Sequence, residues 1–285
     1  MANHTRKLAL GAAQFGLEYG ISSAGQQITV SDLSEILRVA RKYDIGVVDT
    51  AAAYGNSEER LGKAGLSGFE VVTKFNHDTN VKSLSAQLAM SLSQLQAKSV
   101  YAYISHNANL LISNPVNFDE LLRLKSQGLV RKIGYSLYHP YELEQLLKLD
   151  MKPDLIQVPF NILDQRFEQY FRELKEMGTE IHVRSLFLQG LFFMETNRLA
   201  DFFNPVKALL NQLQRAFGDN GKLAAALLQF ATSNKFIDKA VFGVHSADQL
   251  LANCQLINVE EYKIPIFTDN IPEEIILPYL WPQKN

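Results

Sequence analysis

The sequence predicts an α/β protein built as a closed (β/α)8 (TIM) barrel, and three observations point there. Short apolar, β-branched runs alternate with amphipathic segments eight times along the chain. Strands with that composition belong to a parallel sheet covered by helices. The 285 residues hold eight such units with little to spare, against roughly 250 residues for a typical barrel. No Pro/Gly/Ser-rich linker, charge block or low-complexity tract divides the chain, so residues 1–285 read as one domain. A doubly wound open sheet with extra helices is the alternative, because periodicity does not register closure.

The first strand is Leu8-Ala9-Leu10, followed by a polar loop. Thr29-Val30-Ser31-Asp32 then reads as a variant capping box, in which hydroxyl and carboxylate each satisfy orphan N–H groups. Behind it Leu33, Ile36, Leu37 and Ala40 recur with the period of one helical face. Val47-Val48 is the second strand, and a short helix starts near Ser57. Val71-Val72 is the third strand, with Leu84, Leu88, Leu92 and Leu95 marking its helix. Val100 to Ile104 is the fourth, and the helix around Leu121, Leu122 and Leu124 ends near Gly128. Ile133-Gly134-Tyr135 is the fifth, with His139-Pro140 opening a helix where proline's missing N–H costs nothing. Leu155 to Val158 is the sixth, and Phe167, Tyr170, Phe171 and Leu174 mark a helix stopped by Gly178. Ile181 to Ser185 is the seventh, followed by a helix with Val206, Leu209, Leu210 and Leu213 on one face. An extra helix spans about Leu223 to Ala231, Val241-Phe242 is the eighth strand, and Ser246 caps a final helix.

Composition narrows the function. With 47% hydrophobic and 20% charged residues the chain is an ordinary globular protein. Its 28 basic and 30 acidic residues leave a net charge of −2, which argues against nucleic acid or an anionic membrane as the main partner. A single cysteine, Cys254, excludes an intrachain disulfide and a multi-cysteine zinc site. His4, His77 and His182 lack ligand spacing, so no metal is expected. No signal-peptide pattern follows Met1, and no apolar run approaches ~18 residues, so a cytoplasmic location is expected. Oligomeric state is not readable.

In a barrel of this type the working groups lie at the C-terminal ends of strands. Here those ends carry Asp49 with Tyr54 beyond it, Lys74, Ser105-His106, Ser136, Gln157, Arg184-Ser185 and Gly243-Val244-His245-Ser246. A lysine behind Val-Val-Thr is unfavourable when buried unless paired, and Asp49 on the neighbouring strand is the obvious partner. A tyrosine near that ammonium is expected to have its pKa lowered from about 10. It would then donate a proton, while a nearby histidine hydrogen-bonds a carbonyl oxygen. The implied chemistry is protonation of a carbonyl oxygen as its carbon is attacked.

These residues, with Gly46-Val47-Val48-Asp49-Thr50-Ala51, Val72-Thr73-Lys74-Phe75, the run Gly128 to Ser136 and the closing Gly243 to Asn253, resemble the aldo-keto reductases. The resemblance extends from about Leu8 to Asn253 in the family's order. It implies the barrel, and a nicotinamide cofactor bound without a Rossmann domain, in keeping with the lack of a strand-linked Gly-x-Gly-x-x-Gly. It makes Asp49, Tyr54, Lys74 and His106 the catalytic tetrad, with Tyr54 as the acid–base residue and Lys74, paired with Asp49, tuning it. It gives Ser136 and Gln157 to the nicotinamide carboxamide, and the turn Gly243 to Ser246, with His245, to a cofactor phosphate at a helix N-terminus. Gln249 and Asn253 would meet the adenosine end, and Arg184 with Ser185 completes the cofactor side. NADP(H) is preferred and NAD(H) is the alternative; the substrate is a small carbonyl compound, an aldehyde or ketone that is sugar-like or aliphatic.

The pattern departs from the family at two positions. Leu137 stands where many members have asparagine, and Arg184 where many have an aromatic stacked on the nicotinamide. Arg184 either stacks on that ring or turns to the cofactor phosphates or an acidic partner. Tyr138, His139 and Asn107-Ala108-Asn109 are either substrate contacts or loop and capping residues. Trp281 either lines the substrate pocket or anchors the tail. Two other functions remain open: a slow cofactor-binding regulatory subunit, and a cofactor-free lyase or isomerase using Lys74 or Tyr54.

Overall fold

The computed structural model describes residues 3–17, 20, 28–76, 83–265 and 271–282. His77 lies outside them. Its strands are β1 (Leu8–Gly11), β2 (Val47–Asp49), β3 (Glu70–Phe75), β4 (Val100–Ser105), β5 (Val130–Ser136), β6 (Leu155–Pro159), β7 (Glu180–Arg184) and β8 (Lys239–Phe242). They close in sequence order into one parallel barrel, β8 returning to β1 through Leu8↔Ala240. Closure removes the open-sheet alternative.

Strand alternation sorts the core into two layers. Ala9, Val47, Val72, Ala102, Ile104, Leu155 and Val241 form a buried cluster drawn from strands alone, which fills the barrel interior. The opposite faces, including Leu8, Leu10, Val48, Tyr103 and Val183, join a larger cluster with the surrounding helices. Thr29 caps the helix Val30–Lys42 through a complete capping box with Asp32, and Pro140 opens Pro140–Lys148. Ser246 caps Ala247–Leu256 through a bond from Gln249.

Three local expectations are corrected. The loop after β1 begins with a helical turn, Ala13–Gly16, instead of running as coil. The helix after β6 starts as a 3-10 turn, Glu168–Tyr170, and becomes α-helical only over Phe171–Glu176. Strand seven stops at Arg184, because Ser185 turns to a left-handed φ of 62°.

Candidate active site

Parallel pairing sets Asp49 beside Val72, so Lys74, two residues further along β3, faces the same interior just beyond it. Its Nζ donates to Asp49 Oδ1 at 2.5 Å and to the Thr50 carbonyl at 2.9 Å. The pair is almost fully buried, and the second Asp49 oxygen accepts from Gln157 Nε2 at 2.7 Å. Burial draws the Lys74 pKa below the ordinary lysine value, and the contact with Asp49 opposes that shift.

Tyr54 is held by a turn locked between the first and third strand ends. Ala52 N–H donates to the Lys74 carbonyl at 3.1 Å, and Tyr54 N–H to the Ala51 carbonyl at 3.0 Å. Beneath the turn, the Ser57 hydroxyl donates to the Ala12 carbonyl at 2.9 Å. Gly16 lets the two backbones meet, since a Cβ there would lie 1.9 Å from the Tyr54 carbonyl oxygen. Lys74 Nζ is 5.1 Å from the centroid of the Tyr54 ring, and the His106 ring stands edge-on to it at 5.5 Å. All four residues expected to form the tetrad therefore converge at one end of the barrel.

The expected acidification of Tyr54 is overturned. Its pKa is raised, first by burial and then by the charge of Asp49, while Arg184 acts in the opposite direction. The ammonium of Lys74 is bonded to Asp49, so little of its field remains to favour a phenolate. His106 is pushed down to about 3, by burial and then by the charges of Lys74 and Arg184. At neutral pH the site thus holds a neutral phenol beside a neutral imidazole.

A cavity with 1040 Å³ of space, counted out to its solvent mouth, opens above these groups. Its wall runs from Asp49, Tyr54 and His106 past Ser136, Gln157, Arg184 and Ser185 to Gly243, His245 and Gln249. Lys74 lies behind this wall, and neither Ser246 nor Asn253 is part of it. Asn253 is instead buried in its helix, with Nδ2 lacking a hydrogen-bond partner. Sequence reasoning missed Gln14 and the segment after β7, where Leu186, Phe187, Gln189, Gly190 and Phe193 line the cavity. Leu188 and Gln189 take left-handed φ values of 42° and 53° there. The Gln189-Gly190 pair inside an aromatic, aperiodic run was the available signal.

Arg184 lies against the loop that follows β5. Its guanidinium lies 4.2 Å over the Tyr138 ring, donates from Nη2 to the Leu137 carbonyl at 2.9 Å, and from Nη1 to Ser185 Oγ at 3.1 Å. Among the described residues no carboxylate lies within ion-pair distance of it. The two departures from the family pattern are therefore in direct contact. Tyr138 lines the cavity, whereas His139 bonds to the Tyr279 hydroxyl at 2.9 Å and lies 3.1 Å from Glu273. Asn107 accepts from Asn109 N–H at 2.9 Å and so serves its own loop. Trp281 anchors the tail: Nε1 donates to the Ile275 carbonyl at 3.0 Å and the ring packs edge-on to Phe203.

The turn after β8 leads into the capped N-terminus of the helix Ala247–Leu256. Gly243 leaves room for the Gln14 side chain, which a Cβ would meet at 2.0 Å. His245 N–H already donates to Gln249 Oε1 at 2.8 Å, and Gln249 N–H to Ser246 Oγ at 3.1 Å. A ligand anion at this helix N-terminus has to displace the Gln249 side chain to reach the first of these donors.

A closed eight-stranded barrel with a buried lysine–aspartate pair, a tyrosine and a histidine at its mouth defines the class. The Aldo/keto reductase family model matches residues 7–267, and the chain belongs to that family of oxidoreductases. Methylglyoxal reductase DkgA of Yersinia pestis is 31% identical over 176 residues, 59% of this chain and 61% of that protein. An aldo-keto reductase of Mycobacterium sp. (strain KMS) is 29% identical over 148 residues, 48% of this chain and 50% of that one. The chain thus spans about half to three fifths of the curated relatives it matches. Among solved structures, aldo-keto reductase AKR11C1 from Bacillus halodurans (holo form) superposes with a TM-score of 0.72 at 22% identity, covering 90% of this chain and 88% of that one. The glycerol dehydrogenase AKR11B4 from Gluconobacter oxydans superposes with a TM-score of 0.69 at 17% identity, covering 90% and 88%.

Proposed function

We propose that this chain is a single-domain NAD(P)(H)-dependent oxidoreductase that interconverts a small aldehyde or ketone with its alcohol. The convergence of Tyr54, Lys74, Asp49 and His106 at the mouth of one cavity is the observation that supports it. The donor set suits a nicotinamide cofactor. Ser136 and Gln157 offer polar atoms on the cavity wall, and the glycine turn at Gly243 leads to the N-terminus of the helix Ala247–Leu256. Gln157, Ser136 and Ser185 would hold the ring end, which Arg184 borders, and Gly243, His245, Ser246 and Gln249 the phosphate end. Asn253 would act from behind the wall, on the adenosine side.

A bound reduced nicotinamide supplies the hydride. Tyr54 gives its proton to the carbonyl oxygen as the new C–H bond forms. An alkoxide is more basic than a phenolate, so a raised tyrosine pKa keeps the proton in place until the oxygen demands it. Neutral His106 donates a hydrogen bond to the same oxygen and orients it. The Lys74–Asp49 pair stands 5.1 Å behind the Tyr54 ring and holds it in place, and a solvent proton restores the phenol after turnover. The buried, aspartate-bonded Lys74 is ill suited to a Schiff base, which weighs against a lyase reading.

The methylglyoxal reductase named among the relatives supports a small carbonyl compound as substrate. NADP(H) is the preferred cofactor and NAD(H) the alternative, in an uncharged turn at His245 and Ser246. Fluorescence titration of the cofactor-free protein with NADPH and NADH separately tests this. Binding at roughly micromolar Kd, followed by NADPH oxidation with an aldehyde panel, is expected. Absence of binding by either would overturn the proposal, and binding with no steady-state turnover would favour the regulatory subunit.

A further inference from the structure

Among the described residues lining the cavity, one charge has no ionic counterpart. Among the described residues lining it, Asp49 is the only carboxylate, and Lys74 is bonded to it from behind. His106 and Tyr54 are neutral. Among these described residues Arg184 therefore leaves a net positive charge, held at the half-buried wall. A guanidinium withdrawn from water is costly unless an anion meets it. Both of its acceptors, the Leu137 carbonyl and the Ser185 hydroxyl, are uncharged.

The group is nevertheless held in a defined place. Stacking on Tyr138 fixes the guanidinium plane, and the two hydrogen bonds fix its rotation. Only two of its five N–H donors are committed by those bonds. The rest form a planar fork that matches the oxygens of a carboxylate. The charge also lies near the reaction centre, since its field reaches Tyr54, Lys74 and His106.

We propose that Arg184 is a substrate-binding residue that selects carbonyl compounds bearing a carboxylate, an aldehyde acid or keto acid whose carbonyl lies at Tyr54 and His106. This rests on the carbonyl reductase reading. An anionic oxygen pair has a second source, a phosphate of the cofactor, and the experiment separates the two.

The test compares kcat/KM at saturating NADPH for two matched pairs, 4-carboxybenzaldehyde with methyl 4-formylbenzoate, and succinic semialdehyde with butanal. A charge-assisted contact predicts a preference of about tenfold or more for the acid in each pair, expressed mainly in KM. Arg184→Gln brings the acid-to-neutral ratio close to one, and Arg184→Lys keeps part of it. In parallel, NADPH affinity is titrated by fluorescence for each protein. Equal use of acid and neutral aldehydes by the unmodified protein overturns the inference and leaves the carbonyl reductase standing. So does an Arg184→Gln variant whose NADPH Kd rises tenfold while the substrate ratio is unchanged, which would assign the charge to a cofactor phosphate. Should the variants fail to fold, the comparison within the unmodified protein still decides. No turnover of any aldehyde would overturn the carbonyl reductase reading itself.

Discussion

Gln157 Nε2 donates to Asp49 Oδ2 at 2.7 Å, joining a residue expected to hold the cofactor ring to the carboxylate that pairs with Lys74. Both Asp49 oxygens are thereby occupied, one by the ammonium and one by the amide. Gln157→Leu removes one of those bonds, so it is expected to weaken cofactor binding and lower kcat together. Ser136→Ala, which leaves the Asp49 bonds intact, is expected to affect cofactor Kd alone. Titration and steady-state kinetics on both variants check the difference.

Asp49→Ala leaves the Lys74 ammonium buried without its partner. Breaking a buried pair in this way costs about 3–5 kcal/mol, which urea unfolding would register. The double variant Asp49→Leu/Lys74→Met is expected to recover most of that stability while remaining inactive. Activity in the double variant would remove Lys74 from the proposed chemistry.

Gly16→Ala tests how Tyr54 is positioned. The added Cβ meets backbone on both sides, the Tyr54 carbonyl at 1.9 Å and Ser57 N at 2.6 Å, so the turn must move. Overpacking of this kind costs about 1–3 kcal/mol, and a misplacement near 1 Å lowers turnover by roughly 100-fold. Gly46→Ala, with nothing within 4 Å of the new Cβ, is the control and is expected to be active.

The pH dependence follows from two shifts of opposite direction. Tyr54 is raised, so its proton stays in place up to and beyond the usual range of about 10. His106 is lowered to about 3, so it does not titrate near 6.5. In the reductive direction kcat/KM is expected to be flat from about pH 5 to 9. A limb near 6.5 would show that His106 is not held neutral. The same shift affects stability: between the ordinary imidazole pKa and about 3 the unfolded chain binds the extra proton, so stability falls on acidification through that window.

Much of this was legible in the sequence because one geometric rule, that strand ends converge on one mouth, turns chain positions into neighbours. Asp49, Tyr54, Lys74 and His106 were found that way, as were Ser136, Gln157 and Arg184. What escaped depends on contacts that chain order does not encode. The upward shift of Tyr54 requires knowing that Asp49 is bonded to Lys74. The path of Arg184 back across β6 to Leu137 and Tyr138 is a matter of rotamer and stacking. Leu188 and Gln189 take left-handed backbone without the residue types that usually mark it. Asn253 was assigned by position, and the burial of its side chain within the helix Ala247–Leu256 depends on the packing around that helix.

The proton-donor role of Tyr54 is the central claim, and one variant tests it most directly. Tyr54→Phe keeps the ring between Lys74 and His106 and removes only the hydroxyl. NADPH Kd, read by fluorescence, is predicted to stay within about threefold, roughly 0.7 kcal/mol, while kcat for aldehyde reduction falls to background. Retained turnover in this variant, with cofactor binding intact, would contradict the assignment and require another proton donor at the mouth of the barrel.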